Sequence, residues 1–356
     1  MIDGRQMKTN DLRTPALLLD LDSMESNLWR MANYFRNRLV GLRPHFKNHQ
    51  VLSLAAKQLQ AGAVGVTCAR LEHAESLVEQ GLGSILIANE IAGESMIERF
   101  VDLSRRAPVL VAVDNACTVV DMAKQAGNRA HELNVVVDLD LRLRRCGVEP
   151  GAAALSLAKL VLEKGLKFRG LMGYPGSFRL APGAEKERAV RSDLRPLIET
   201  KALIERAGIP VEIVTCGGTG DYSITATFPE VTEIQAGSYL LMDTEYAPFA
   251  PDFKPALSVL GTVISKPSGQ RLVANTGAKA LSCEKGLPKV KGIPGLRVEA
   301  MHAEHVLIEI VDPAAALEIG DVIELWVHYL DSTIQLHDRM YGVRNGEVEE
   351  TLQIEH

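Results

Sequence analysis

The sequence predicts an α/β protein, with a (β/α)8 TIM barrel and a second β-rich domain. Two observations predict this fold. From about residue 40, short runs rich in Val, Ile and Leu alternate with longer stretches that carry Ala, Leu, Glu and Lys at three-to-four spacing, a pattern that favours parallel strands alternating with helices. After Tyr246, prolines punctuate short β-like runs and helical spacing largely disappears, which indicates a separate β-rich domain.

Eight short apolar runs predict the barrel strands. They are residues 42–47, 63–68, 84–89, 109–114, 134–138, 168–174, 211–216 and 231–236. The stretch LEHAESLVEQG is typical of the helices between them. Eight such units favour a closed (β/α)8 barrel. The alternative is an open doubly wound sheet, which usually has fewer strands and a clearer dinucleotide fingerprint.

The predicted barrel spans residues 25–250, and the β-rich domain comprises residues 1–24 and 251–356. The opening TPALLLDLD is strand-like and is expected to join the C-terminal runs LSVLGTVIS, RLVAN, VLIEIV and DVIELWV. A helix then begins within DSMESNL, with Asp22 or Ser23 as its N-cap.

The composition limits the class of protein. With 356 residues, 46% apolar side chains and a net charge of −6, the chain is typical of globular proteins and offers no basic surface for nucleic acid. No apolar stretch approaches the ~18 to 20 residues of a membrane helix, and the polar N-terminus has no signal-peptide core. Five cysteines without a C-x-x-C pair indicate reduced thiols in a cytoplasmic protein and disfavour structural zinc.

The stretch RPHFKNH places basic side chains at the end of the first apolar run. Because side chains alternate along a strand, Arg43, His45 and Lys47 are expected to share the face that points into the barrel. Desolvation there would favour the neutral amine of Lys47, which can attack a carbonyl. The pattern therefore suggests a Schiff-base lysine. The alternative is a lysine that caps the strand and points to solvent.

The sequence GGTG at 217–220 follows a predicted strand and precedes a probable helix. Its backbone N–H groups are suited to binding a phosphate, although glycine-rich turns after strands are common. It matches neither a P-loop nor a dinucleotide fingerprint. A lysine and a phosphate cradle on the rim where barrels place their active sites together suggest pyridoxal 5'-phosphate.

Nine motifs then occur in order along nearly the whole chain: TPALLLDLD, RPHFKNH, GVTCA, RCGV, GLMGYPG, GGTG, EIQAGSY, KALS and LHD. In these motifs the chain resembles the D-threonine aldolase and D-serine dehydratase group of pyridoxal-phosphate enzymes, which shares the fold of bacterial alanine racemase. The resemblance implies a lyase that acts on a small D-amino acid, often with a β-hydroxyl group. It also implies a homodimer.

The resemblance assigns roles to individual residues. It implies that Lys47 binds the cofactor aldehyde, that Tyr174 lies near the pyridine nitrogen and that Arg145 approaches the ring phenolate. For the base or metal that removes the proton of the β-hydroxyl group, the candidates are His45, His328 and Asp331. The phosphate is expected to be held by Gly217, Gly218 and Thr219, with help from Ser238 and Tyr239.

The chain departs from the group's pattern in two places. Members usually carry a metal-binding histidine two residues before an Asp or Cys. Matching STIQLHD to that pattern makes Asp331 the acidic ligand and puts Tyr329 at the histidine position, so that His328 is one residue off. A divalent metal (Mn, Mg or Zn) is therefore lost, or is bound differently through His328, His337 or His305. The group's second histidine, after Tyr174, is replaced by Ser177.

Four hypotheses follow. The first is retro-aldol cleavage of a β-hydroxy-D-amino acid, as by D-threonine aldolase, to glycine and an aldehyde. The second is elimination from D-serine or a 3-hydroxyaspartate, and the third is racemisation or epimerisation, with Cys283 or His305 of a partner subunit as a second base. The fourth is a pyridoxal-phosphate carrier without turnover.

Overall fold

The chain folds into two units, and the computed structural model describes residues 7–180, 182–315 and 317–356. Residues 31–47 and 52–237 form the first unit, called here the barrel unit. Residues 48–51 and 238–356, with the N-terminal segment up to Arg30, form the second, the β unit. The domain boundaries predicted at residues 24/25 and 250/251 stay a prediction.

The first strand and helix are β1 (Ala16–Asp20) and α1 (Leu21–Phe35). Asp20 Oδ1 accepts the backbone N–H of Ser23 at 2.7 Å, so Asp20 supplies the side-chain acceptor at the start of α1. The predicted caps, Asp22 and Ser23, were wrong because the helix begins earlier, at Leu21.

Eight parallel strands form the sheet of the barrel unit. They are β2 (Gly41–Leu42), β3 (Val66–Cys68), β4 (Ile85–Glu90), β5 (Val109–Val113), β6 (Asn134–Leu139), β7 (Lys167–Gly173), β8 (Ile213–Cys216) and β9 (Glu233–Ile234), in the order β2-β9-β8-β7-β6-β5-β4-β3. The two edges are joined because Val64 N donates to Leu42 O and Thr67 N to Pro44 O, both at 2.8 Å. The predicted barrel is confirmed, and the open sheet is excluded.

Helices lie between the strands of this unit. They are α2 (Leu52–Gln60), α3 (Leu71–Glu79), α4 (Glu94–Arg106), α5 (Ala116–Ala126), α6 (Ala152–Glu163), α7 (Ala184–Arg206) and α8 (Tyr222–Thr225). In α3, the predicted three-to-four spacing buries Leu71, Ala74 and Leu77, as expected for a helix with one apolar face.

Alternate residues of the strands fill a cluster of buried side chains: Leu86, Leu110, Ala112, Val136 and Met172. Side chains two residues apart share a face of a strand. The inward-facing rows therefore continue at their carboxyl ends into polar residues, such as Asp114 after β5 and Asp138 in β6. This continuation is what places polar groups at the rim.

The first barrel strand is shorter than predicted. It ends at Leu42, a single bridge pairs His45 with Thr67, and a 3₁₀ turn covers Phe46–Asn48. Arg43 is buried and donates to both carboxylate oxygens of Glu233, at 2.7 and 2.6 Å. The expectation that Arg43, His45 and Lys47 share one strand face was therefore wrong, because the strand ends at Leu42 and Lys47 lies in the 3₁₀ turn. The ion pair of Arg43 joins β2 to β9.

The β unit is built on an eight-stranded sheet to which β1 also belongs. Its other strands are β10 (Leu257–Ser268), β11 (Arg271–Ala274), β12 (Leu296–Met301), β13 (Val306–Ile310), β14 (Val322–Trp326), β15 (Arg339–Arg344) and β16 (Glu347–Gln353); α9 (Leu330–Ile334) precedes β15. Strand β1 pairs antiparallel with β10 and parallel with β15, so it joins the C-terminal strands as expected. No helix within the described residues is long and apolar enough to cross a membrane.

Candidate active site

Lys47 lies in the 3₁₀ turn that follows β2, and the neighbours of this turn hold it in place. The ring of the fully buried Phe46 packs edge-on against His73 of α3, with centroids 5.3 Å apart. His45 N donates to Ala236 O, beyond β9, at 3.1 Å. The backbone N–H of Lys47 lies 3.4 Å from His45 Nδ1, so any proton exchange by this imidazole would run through Nε2. Lys47 itself is half-buried.

The glycines after β8 are required by the geometry of the loop. Gly217 has φ +70°, a conformation that favours glycine. A Cβ atom at Gly218 would lie 2.9 Å from the hydroxyl oxygen of Tyr174, closer than close packing tolerates. Thr219 is 3% exposed. The loop is therefore a buried backbone turn next to the phenol of Tyr174, which follows β7.

The strand order brings these groups to one part of the rim. Strands β2, β9, β8 and β7 are consecutive neighbours in the sheet. Lys47 follows β2, the glycine loop follows β8 and Tyr174 follows β7. An amine, a glycine loop and a phenol that borders the loop are thus carried by neighbouring strands. Together they fit pyridoxal phosphate, which needs an aldehyde partner, an anion site and side chains around its ring.

Arg145 lies in the exposed loop after β6, next to a group of acidic side chains. Ligand atoms of Glu90, Asp114 and Cys146 lie within 4.8 Å of one another, and Asp114 Oδ2 accepts the backbone N–H of Gly147 at 3.1 Å. Within the described parts of the chain, no other set of three His, Cys, Asp or Glu side chains comes this close. These three residues are thus the ones whose spacing suits a cation, although acidic groups often gather without one.

Asp138 interacts with the carboxyl groups of this acidic group, and these neighbouring groups disfavour one another's ionisation. Burial, and then the nearby Glu90, raise the pKa of Asp138, while Arg145 opposes the shift. A hydrogen bond to Glu90, followed by burial, raises the pKa of Cys146 to about 11. Like charges in a confined site disfavour simultaneous ionisation, so we expect the Cys146 thiol and at least one carboxyl group to be neutral at pH 7.

In the β unit, Ser238 and Tyr239 begin the segment that leads to β10. Tyr239 is fully buried, and its ring lies 5.7 Å from that of Phe253. Ser238 is half-buried, and its carbonyl accepts the N–H of Met242 at 2.7 Å. Their predicted help in phosphate binding stays a prediction.

His328 and Asp331 also lie in the β unit, and each has a defined partner. His328 Nδ1 lies 2.9 Å from Thr244 Oγ1, and Asp331 Oδ1 accepts the side-chain amide of Asn48 at 2.5 Å. Strand β14 ends at Trp326 and α9 begins at Leu330. The argument from strand alternation at these positions was therefore wrong, because residues 328–331 do not form a strand.

A buried carboxylate fixes the start of α9. Asp243 Oδ2 accepts the N–H of Leu330 at 2.8 Å, and Oδ1 accepts that of Tyr246 at 2.7 Å. Burial raises the pKa of Asp243 to about 7, with Glu245 and Asp331 adding to the shift. Two of the nine motifs are in contact in the same unit. His337 of LHD has its Nε2 atom 2.6 Å from the carbonyl oxygen of Ala280 in KALS.

Comparison with known proteins agrees with this architecture. The family model described as alanine racemase, N-terminal domain, matches residues 19–245, and the putative serine dehydratase domain matches residues 256–343. A D-threonine aldolase from an Arthrobacter species is 34% identical over 96% of this chain and 92% of its own length. The chain belongs to the D-threonine aldolase and D-serine dehydratase family.

Two further similarities lie within this family. A 3-hydroxy-D-aspartate aldolase from Paracoccus denitrificans (strain Pd 1222) is 30% identical over 96% of this chain and 92% of its own length. The crystal structure of a D-threonine aldolase from Filomicrobium marinum superposes with a TM-score of 0.94, covers 99% of this chain and 98% of that one, and is 32% identical. The resemblance drawn from the nine motifs is confirmed.

Family membership leaves the roles of single residues as predictions. This holds for Lys47, His45, Tyr174 and Arg145, for the glycine loop, and for the metal ligands Asp331 and His328. The side chain of Ser177, which replaces the group's second histidine, lies outside the described part of the structure.

The sequence analysis missed Glu90 of the acidic group near Arg145, and it gave no role to Asp138, which interacts with Glu90. Glu90 was overlooked because the third barrel strand was ended at Asn89, whereas β4 continues to Glu90, which is paired level with Ala112. Asn89 instead is exposed and donates to Ala69 O. Asp138 was placed at the end of its strand without a role. The available signal was an acidic residue inside an apolar run, which demands a partner when buried.

Proposed function

We propose that the protein is a pyridoxal-phosphate-dependent lyase that cleaves a β-hydroxy-D-amino acid to glycine and an aldehyde, as D-threonine aldolase does. The observation that carries the proposal is the arrangement on one rim. Lys47 follows β2, and the loop of Gly217, Gly218 and Thr219 follows β8, two strands away. Similarity to aldolases over 96% of the chain supports the reaction class.

The residues of the chain would divide the work as follows. Lys47 supplies the amine that holds the cofactor aldehyde. The glycine loop supplies backbone N–H groups for its phosphate, other than that of Gly218, which is donated to Asp221 Oδ1. Tyr174 borders the cradle and Arg145 supplies a positive charge near the ring. Bound pyridoxal phosphate would withdraw electrons from the substrate's Cα. A base must also remove the proton of the β-hydroxyl group, and His45 is the candidate beside Lys47.

Product analysis tests the reaction. Purified protein loaded with pyridoxal phosphate is incubated with D-threonine and D-phenylserine, with and without Mn²⁺, and the products are separated by chromatography. We expect equal amounts of glycine and the matching aldehyde, and none from the L-isomers. If neither D-amino acid yields glycine under either condition, the aldolase proposal fails.

Elimination is the second candidate, because residues 256–343 match the putative serine dehydratase domain. Aldol cleavage starts from the β-hydroxyl proton, whereas elimination removes the proton on Cα and expels the hydroxyl group. Ammonia and a keto acid from D-serine or a 3-hydroxyaspartate, without glycine, would establish elimination. Exchange of an α-deuterium with loss of optical activity would establish racemisation, and cofactor binding without turnover would establish a carrier.

We further propose a cytoplasmic homodimer with a divalent metal (Mn, Mg or Zn) at Asp331 and His328. All five cysteines are free thiols, which supports a reducing compartment. Carboxylate and imidazole are ligands for these metals, but the two side chains are engaged by Asn48 and Thr244, so both would have to share or exchange a partner. Light scattering would measure the oligomeric state, and metal analysis after mild purification would measure the metal.

A further inference from the structure

Asp221 follows the glycine loop directly and begins the short helix α8. It is 1% exposed, and burial raises its pKa to about 6, although the N–H of Gly218, the nearby hydroxyl of Thr225 and the positive charge of Lys186 all oppose the shift. Burying a carboxyl group is costly unless it is hydrogen-bonded. Packing alone therefore does not account for a buried carboxyl group directly after the glycine loop.

The contacts of Asp221 point back into the loop. Its Oδ1 accepts the backbone N–H of Gly218 at 2.6 Å, and its own N–H donates to Gly218 O at 3.3 Å. These two bonds close the turn between Gly218 and Asp221. In the described part of the chain, Oδ2 is buried without a hydrogen-bond partner, so the carboxyl group is committed to the loop through Oδ1.

The groups around Asp221 compensate the charge of its buried carboxylate only weakly. Lys186 of α7 is 3% exposed and acts on Asp221 electrostatically, and burial lowers the pKa of this lysine. Cys216, at the end of β8, is buried, and burial raises the pKa of its thiol well above the usual range, so the thiol is neutral. Asp221 is thus held in a dry setting, where a hydrogen bond is strong and its loss is expensive.

We infer that Asp221 is a positioning residue, which holds the glycine loop in its phosphate-binding shape before pyridoxal phosphate arrives. The inference rests on the proposed function. A loop fixed in advance loses less conformational entropy on binding, and this raises affinity without any contact to the ligand. Asp221 then affects cofactor affinity and leaves the chemical step alone.

The test compares three variants of the full-length protein. Asp221→Ala removes the acceptor, Asp221→Asn keeps an oxygen at Oδ1, and Ser223→Ala changes an exposed residue of the same short helix. The dissociation constant for pyridoxal phosphate is measured by fluorescence titration of each apoprotein, and kcat for D-threonine cleavage is measured at saturating cofactor. Exchange of the Gly218 amide with deuterium reports the loop directly.

We expect Asp221→Ala to raise the dissociation constant by roughly 3- to 10-fold, the range of one typical hydrogen bond, which the amide oxygen of Asn can also accept. Its kcat at saturating cofactor should stay near the wild-type value, and Gly218 should exchange faster. Asp221→Asn and Ser223→Ala should retain wild-type affinity and slow exchange at Gly218.

Two results would overturn the inference: wild-type affinity in Asp221→Ala, or an Asp221→Asn variant that folds but binds as weakly as Asp221→Ala. If Asp221→Ala does not fold, Asp221→Asn decides, since a folded amide variant with lost affinity contradicts the role of the hydrogen bond. A wild-type protein that binds no pyridoxal phosphate would instead refute the proposed function, which keeps the two failures distinct.

Discussion

The glycine loop of the barrel unit and the 327–331 segment of the β unit differ in what holds them. In the loop, the backbone forms the site: φ of Gly217, the space at Gly218 and the bond to Asp221 all act on main-chain atoms. In the segment, the candidate groups are the side chains of His328 and Asp331, each bound to a different neighbour. A site formed by the backbone tolerates little change in residue type. A site formed by side chains depends on where the preceding strand ends.

This difference explains what the sequence could predict. A strand followed by GGTG predicts a tight backbone turn with little context, because glycine readily adopts such a backbone; its role as an anion site stays a prediction. The positions of His328 and Asp331 depend on where β14 ends, and nothing local marks Trp326 as its last residue. Strand ends are commonly misplaced by a few residues, and residues 328–331 lie beyond the end of this strand, where strand alternation does not apply.

The same limit applies within the barrel. Apolar runs located all eight strands, because buried parallel strands are continuously hydrophobic. The turn at Lys47 was mistaken for strand because Phe46 is apolar, and its burial against His73 is a tertiary contact that local pattern does not encode. The pairing of Arg43 with Glu233 joins residues 190 positions apart in the chain, beyond the reach of any local pattern.

The largest effect on cofactor affinity is expected from Gly218→Ala, which changes the backbone of the glycine loop. The added Cβ would lie 2.9 Å from Tyr174 Oη, so the loop or the phenol must move. We expect the dissociation constant for pyridoxal phosphate to rise at least about 100-fold, because a displacement near 1 Å can cost that much at a preorganised site. Equilibrium dialysis measures it.

Gly269→Ala is the matched control, since no atom lies within 4 Å of its added Cβ. Tyr174→Phe in the Gly218→Ala background removes the hydroxyl contact and should restore part of the affinity. Unchanged affinity in Gly218→Ala would mean that the loop does not bind the phosphate.

A smaller effect, on activity, is expected from Asp331→Ala, which removes a candidate side chain of the 327–331 segment. We expect Mn²⁺-stimulated glycine formation to fall about 10- to 100-fold, the usual range for a lost group around a metal, while affinity for pyridoxal phosphate stays unchanged. Asp338→Ala, at an exposed carboxylate nearby, is the control. A loss of cofactor affinity in Asp331→Ala alone would contradict the separation of the two regions.

The last effect concerns the stability of the fold and its dependence on pH. Burial raises the pKa of Asp221 from its ordinary value of 3.8 to about 6 in the folded protein. Between about pH 4 and pH 6, the carboxyl group is therefore still protonated in the folded state but already ionised in the unfolded state. The contribution of this group to stability is therefore lost as pH rises from about 4 to 6, by up to about 3 kcal/mol. Asp221→Asn should unfold at higher urea than wild type at pH 7.5 and lose this advantage at pH 4. The opposite trend with pH would disprove the assignment.

The most direct test of the central claim is the visible absorption spectrum of purified protein reconstituted with pyridoxal phosphate, recorded before and after borohydride. If the amine of Lys47 holds the cofactor as proposed, wild type and Lys159→Ala, a variant of an exposed lysine on α6, should show a band that borohydride removes. Lys47→Ala should lack that band. A band that survives in Lys47→Ala, or a wild type that stays colourless with excess cofactor, would contradict the assignment of Lys47 and the glycine loop as a pyridoxal-phosphate site.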